Sequence, residues 1–148
     1  MKSASHYINL PGNTEEAFAF YGKVFGTEPF GIVRYRDMGG EAMGVTGEAL
    51  DKVAHMGVPL GKDIVLMGTD VVPETNQPAV VFGNNHYVML EVDSAEEARH
   101  VFAGLSAGGA VEMPLDKTEW AELYGMCKDK FGILWMVNYT GSVVFGES

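Results

Sequence analysis

A chain of 148 residues, 47% of them hydrophobic, is long enough to bury the core of one compact domain or of two small modules sharing a core. Twenty acidic residues against ten basic ones leave a formal net charge of −10, which repels phosphate backbones and argues against a nucleic-acid partner. The opening MKSASHYINL lacks the apolar run of a signal peptide, and no stretch approaches the ~20 apolar residues of a membrane span, so a cytoplasmic protein with no membrane partner is expected.

A single cysteine, Cys127, excludes an intramolecular disulfide and a cysteine metal cluster. No histidine stands near it in sequence to activate it, so it reads as a buried structural thiol.

Residues 5–10 have the pattern of a short strand, and Pro11-Gly12-Asn13 is turn chemistry. Asn13, with Glu16 three residues on, has the spacing of a helix cap and its partner. The helix that follows from Thr14 puts Ala17, Phe18, Tyr21, Val24 and Phe25 on one face, and Gly26 is placed to stop it. A strand is predicted over 30–36. Residues 37–50, with four glycines, read as a mobile loop. Residues 51–60 and 62–67 form a strand pair turning at Gly61, which completes a βαβββ module over 1–70. A linker is expected from there to 83, rich in turn residues such as Pro73, Asn76 and Pro78.

The same order then returns. HYVMLEVDSAEEARHVF, beginning at His86, repeats the pattern of HYINLPGNTEEAFAFY, beginning at His6, so that His6, Tyr7, Ile8 and Leu10 fall on His86, Tyr87, Val88 and Leu90. Two copies are too few for a solenoid and indicate a duplicated module. In the second copy a strand over 85–92 leads to Ser94 and Glu97 at capping-box spacing, and Ala98, Val101, Phe102 and Leu105 give the helical face before Gly108-Gly109. Strands over 110–115, 119–128 and 131–139 complete a second βαβββ module within 84–140. The tail, 141–148, carries Val143, Val144 and Phe145 and is expected to add to an edge or cover a neighbouring subunit. The class is α+β.

Several ordered segments carry a resemblance: PGNTEEAFAFYGKVFG (11–26), DKVAHMGVPLG (51–61), VLMGTD (65–70), LSAGGAVEMPL (105–115) and DKFGILWMVNY (129–139). Together they make the chain similar to the vicinal oxygen chelate superfamily, of glyoxalase and bleomycin-resistance type. They resemble in particular its PhnB-like branch, which sometimes carries the label 3-demethylubiquinone 3-methyltransferase-like. The resemblance implies a barrel-like cleft built from the two modules and a homodimer. It does not bring methyltransferase chemistry with it, because no glycine-rich loop follows an early strand to bind S-adenosylmethionine.

The superfamily resemblance also implies where a divalent metal would sit. Its histidine positions fall on His6, fourteen residues before Phe20, and on His86; its carboxylate positions fall on Met67 and Met136. Thioethers are soft, neutral donors that serve Mg²⁺, Mn²⁺ or Zn²⁺ poorly, so the expected cofactor is none or a weakly held divalent metal. His55 lies in a branch motif and is a candidate ligand contact, although a structural role is equally open; Trp120 and Tyr124 would wall a small-molecule pocket, or sit in the core. Arg34 and Glu119 are the charged residues placed to reach a polar ligand, Trp135 should face the helix layer opposite Met136, and His100 should be solvated. Three functions compete: a small-molecule-binding protein without metal catalysis, a metal-dependent lyase, isomerase or dioxygenase using His6 and His86, and an interaction module. Met67 and Met136 favour the first.

Overall fold

The computed structural model describes residues 1–146. The chain divides into two compact units, residues 1–81 and 82–148.

The first unit runs β1 (Tyr7–Leu10), α1 (Thr14–Phe25), β2 (Phe30–Arg34), β3 (Val53–Gly61) and β4 (Ile64–Asp70). Its sheet has the order β1-β4-β3-β2, with β1 parallel to β4 and the other pairs antiparallel. α1 packs on β3 and β4, where the fully buried Ala17, Phe18 and Tyr21 lie with Met56, Val58 and Leu66. Gly68 shows why this packing is close: a Cβ there would stand 2.7 Å from Cζ of Phe18. Gly26 closes the helix in the left-handed conformation (φ 69°), as the sequence predicts.

The start of α1 differs from expectation. Asn13 makes no side-chain cap; the carboxylate of Asp70, at the end of β4, accepts instead from the amides of Thr14 and Val53, each at 2.9 Å. One buried carboxylate thus satisfies a helix N-terminus and the first amide of β3, where the positive end of the helix dipole favours it.

The glycine-rich stretch expected as a mobile loop is folded into three short 3-10 helices, Tyr35–Met38, Gly40–Met43 and Gly47–Asp51. Tyr35, Val45, Leu50 and Val72 form a small core of their own beneath it. The hydroxyl of Tyr35 donates to the Asp70 carbonyl at 2.7 Å and ties this core to β4.

The second unit repeats the plan with β5 (Val88–Glu91), α2 (Ala95–Ser106), β6 (Ala110–Asp116), β7 (Leu123–Lys128) and β8 (Leu134–Tyr139), in the order β5-β8-β7-β6. β5 and β8 are parallel, the mates of β1 and β4. The Ser94 hydroxyl accepts from the Glu97 amide at 3.0 Å, and the Glu97 carboxylate reaches back to the Asp93 amide. This is the predicted capping box with its return bond one residue earlier. Under α2, Trp135 and Val137 are fully buried, and a Cβ on Gly125 would meet the Phe102 ring at 2.8 Å. Trp135 therefore faces the helix layer as alternation predicts, and its indole N–H donates to Asp129 at 2.9 Å. Cys127 is fully buried, and burial, with Asp129 and Glu112 nearby, pushes its thiol up to about 12. Of the tail, Phe145 sets its ring edge-on to Trp120 at 6.5 Å, while residues 147 and 148 lie outside the described residues.

Candidate functional site

Each sheet has one face under its helix and one face turned away. In the first unit Gly68 faces α1, so period-two alternation turns Met67 and Thr69 to the open face. The register across the four strands at this level is Tyr7, Met67, Gly57, Phe30. Tyr7 leans over β4: its hydroxyl lies 2.9 Å from Nδ1 of His55 on β3, and the two rings stack at 5.6 Å between centroids. Burial, with Tyr35 nearby, raises the Tyr7 phenol above its ordinary range, so it stays protonated and able to share its hydrogen at neutral pH.

In the second unit Gly125 faces α2 and Met126 faces away. The open-face row at this level consists of four methionines in register, Met89, Met136, Met126 and Met113, one from each strand of the sheet. Met89 and Met113, on the two edge strands, are 58% and 42% exposed. The next row contains Glu91, Asn138 and Tyr124. Three hydrogen bonds hold that end together: Asn138 and the Thr140 amide donate to the Glu91 carboxylate, and Asn138 also reaches the Thr140 hydroxyl. Burial works against the Glu91 charge, but these bonds outweigh it and lower its pKa. Trp120 packs edge-on against Tyr124 at 5.2 Å. Tyr87 stands just before β5, and its hydroxyl donates at 2.8 Å to Glu112 on β6, the opposite edge strand.

Two of the residues singled out in the sequence, His6 and His86, lie just before the first strand of their units. The register partner of Met67 is Tyr7; His6 lies before β1, where its carbonyl accepts from the Met67 amide at 3.2 Å. The partner of Met136 is Met89, and His86 lies two residues before the start of β5. Tyr7 and Tyr87 were visible as repeat mates, and strand alternation is the signal that puts Tyr7 on the open face with Met67. His55, Met67, Met136 and Tyr124 all belong to their units' open faces, with Trp120 beside Tyr124. Arg34 is engaged: it makes a two-pronged ion pair with Glu15 on α1, at 2.9 and 3.1 Å, and donates to the Asp51 carbonyl. Glu119 and His100 are exposed.

Residues 4–137 match the Glyoxalase/Bleomycin resistance protein/Dioxygenase superfamily. The chain belongs to this superfamily. It is similar to protein YjdN of Escherichia coli (strain K12), with 28% identity over 142 residues that cover 90% of this chain and 92% of the relative. Among solved structures it is similar to protein PA1353 from Pseudomonas aeruginosa, at 32% identity and a TM-score of 0.80, covering 94% of this chain and 98% of that one. A putative 3-demethylubiquinone-9 3-methyltransferase, PhnB protein, from Bacillus cereus shares the fold at 24% identity and a TM-score of 0.74, covering 93% and 99%.

The divalent metal associated with the glyoxalase superfamily does not fit the donors present. The positions that the resemblance assigns to carboxylates hold thioethers, Met67 and Met136, and their strand partners are Tyr7 and Met89. Among the described residues no group of three or more His, Cys, Asp or Glu side chains is arranged to hold a metal ion. Hard cations need oxygen and imidazole donors with compensating negative charge, and in this glyoxalase-superfamily chain these rows supply sulfur and phenol.

Proposed function

We propose that this superfamily member binds a small, partly apolar molecule against the open faces of its sheets, without a complete divalent-metal site, and works as a cytoplasmic homodimer. The methionine row carries this reading. Four thioethers in register make an apolar, polarisable and adaptable surface, and the module repeat gives the other unit a row of Tyr7, Met67, Gly57 and Phe30. Polar groups stand beside both rows, Tyr7 with His55 and Tyr87 with Glu112, as expected of pockets that combine apolar lining with a few orienting groups. His6, Arg34, His86 and Trp120 complete the set proposed for ligand contact.

The PhnB and methyltransferase words of the Bacillus cereus relative do not extend to a mechanism here, since a fold hosts many chemistries. A metal-dependent lyase, isomerase or dioxygenase would instead have to draw its ion onto His6 and His86. Metal analysis of protein purified without chelator separates the two. The expected result is well under one equivalent of manganese, iron or zinc, unchanged in His6→Ala and His86→Ala. One equivalent that is lost in either variant would replace the proposed reading with the metal-dependent one.

A further inference from the structure

The feature that small-molecule binding does not explain is the uneven distribution of sulfur between the two modules. The first sheet builds its open-face row with one methionine, whereas the second uses methionine on all four strands. Apolar lining would be served equally by leucine, isoleucine or phenylalanine. What methionine adds is a soft donor at the end of three rotatable bonds.

Three of the four stand in unbroken register. Met89 pairs with Met136 in the parallel β5–β8 ladder, and Met136 pairs with Met126 in the antiparallel β8–β7 ladder. Directly opposed residues on neighbouring strands have Cβ atoms about 4.5–5.5 Å apart, close enough for flexible side chains to turn their sulfurs onto one ion. Met113 lies beyond, on β6, between two register irregularities. The thioether donor set rejects hard divalent ions and selects soft monovalent ones. Carboxylates of Glu91 and Glu112 lie on the strands that carry the edge methionines, and the chain's net charge of −10 favours any cation.

We propose that Met89, Met136 and Met126 form a binding site for a soft monovalent metal ion, copper(I) or its stable analogue silver(I). The site shares Met136 with the hard-metal position that the superfamily resemblance implies, but its donors are thioethers alone and all three lie in the second unit. It does not depend on an organic ligand being bound. Cys127 is the other soft donor of this sheet, but it is fully buried, its thiol holds its proton to about pH 12, and alternation turns it toward α2, away from Met126.

The test uses the full chain labelled at its methionine methyl carbons, in the Cys127→Ala background so that no thiol competes. On titration with silver nitrate, one equivalent is expected to shift the methyl signals of Met89, Met126 and Met136, while those of Met56 and Met67 stay in place. Met136→Leu, which keeps volume and apolarity, is expected to lower silver affinity at least ~10-fold; Met67→Leu is expected to leave it unchanged. No shift at one equivalent, equal shifts at Met67, or undiminished affinity in Met136→Leu would overturn the proposal. Silver is titrated with no organic compound present, so absent methyl shifts count against the metal site alone, while an absent response to organic compounds in thermal unfolding counts against the small-molecule reading alone.

Discussion

The tyrosines second in each repeat, Tyr7 and Tyr87, each reach across strands to a polar partner, His55 in one unit and Glu112 in the other. Both sites are solvent-accessible, so Tyr7→Phe is expected to cost only about 0.5–1 kcal/mol, at the lower end for a hydrogen bond, as read by urea denaturation. Buried titratable groups give a larger effect at alkaline pH. Burial raises Cys127 from 9.0 to about 12, and it also raises the phenol of Tyr124 above 10.0. A group whose folded pKa is raised contributes stability that is fully present below its unfolded pKa and is lost as pH rises. The urea midpoint should therefore fall progressively above about pH 9, and Cys127→Ala should flatten the part of that decline between pH 9 and 10, below the tyrosine range. A midpoint unchanged from pH 8 to 11 would contradict this burial pattern.

At the level of elements, helix placement was legible because it depends on local signals. The apolar face of α1, the stop at Gly26 and the Ser94 cap are all written within a few residues of the structure they produce. What was not legible depends on distant partners. Asp70 caps α1 from 56 residues away, and Val45 and Leu50 follow no period, because they fill a small core closed by Tyr35 and Val72. Two substitutions test these long-range supports by chemical denaturation. Asp70→Ala strands the buried amides of Thr14 and Val53 and is expected to cost about 2–4 kcal/mol. Gly68→Ala drives a methyl into the Phe18 ring and is expected to cost about 1–3 kcal/mol through overpacking. Losses below about 0.5 kcal/mol would mean that these contacts are not holding the helix to the sheet.

On the scale of the whole chain, duplication was the most informative signal. It gave two βαβββ modules, and the match over residues 4–137 places them in the glyoxalase superfamily. The same symmetry paired Met67 and Met136 as module mates; their strand partners in the structure are Tyr7 and Met89, with His6 one residue before the first and His86 three before the second. Counting along the sequence to a motif position locates a strand without fixing which side of it a residue faces; a one-residue step reverses the face. No helix among the described residues is long and apolar enough to cross a membrane.

Binding without a divalent metal is most directly tested by thermal unfolding of chelator-treated protein against a panel of small planar and apolar compounds. A ligand present at a hundred times its dissociation constant adds about 2.7 kcal/mol to the folded state, so a true ligand should raise Tm by about 5–10 °C with chelator present. Stabilisation that appears only after Mn²⁺ or Zn²⁺ is restored, and is lost in His6→Ala or His86→Ala, would contradict it.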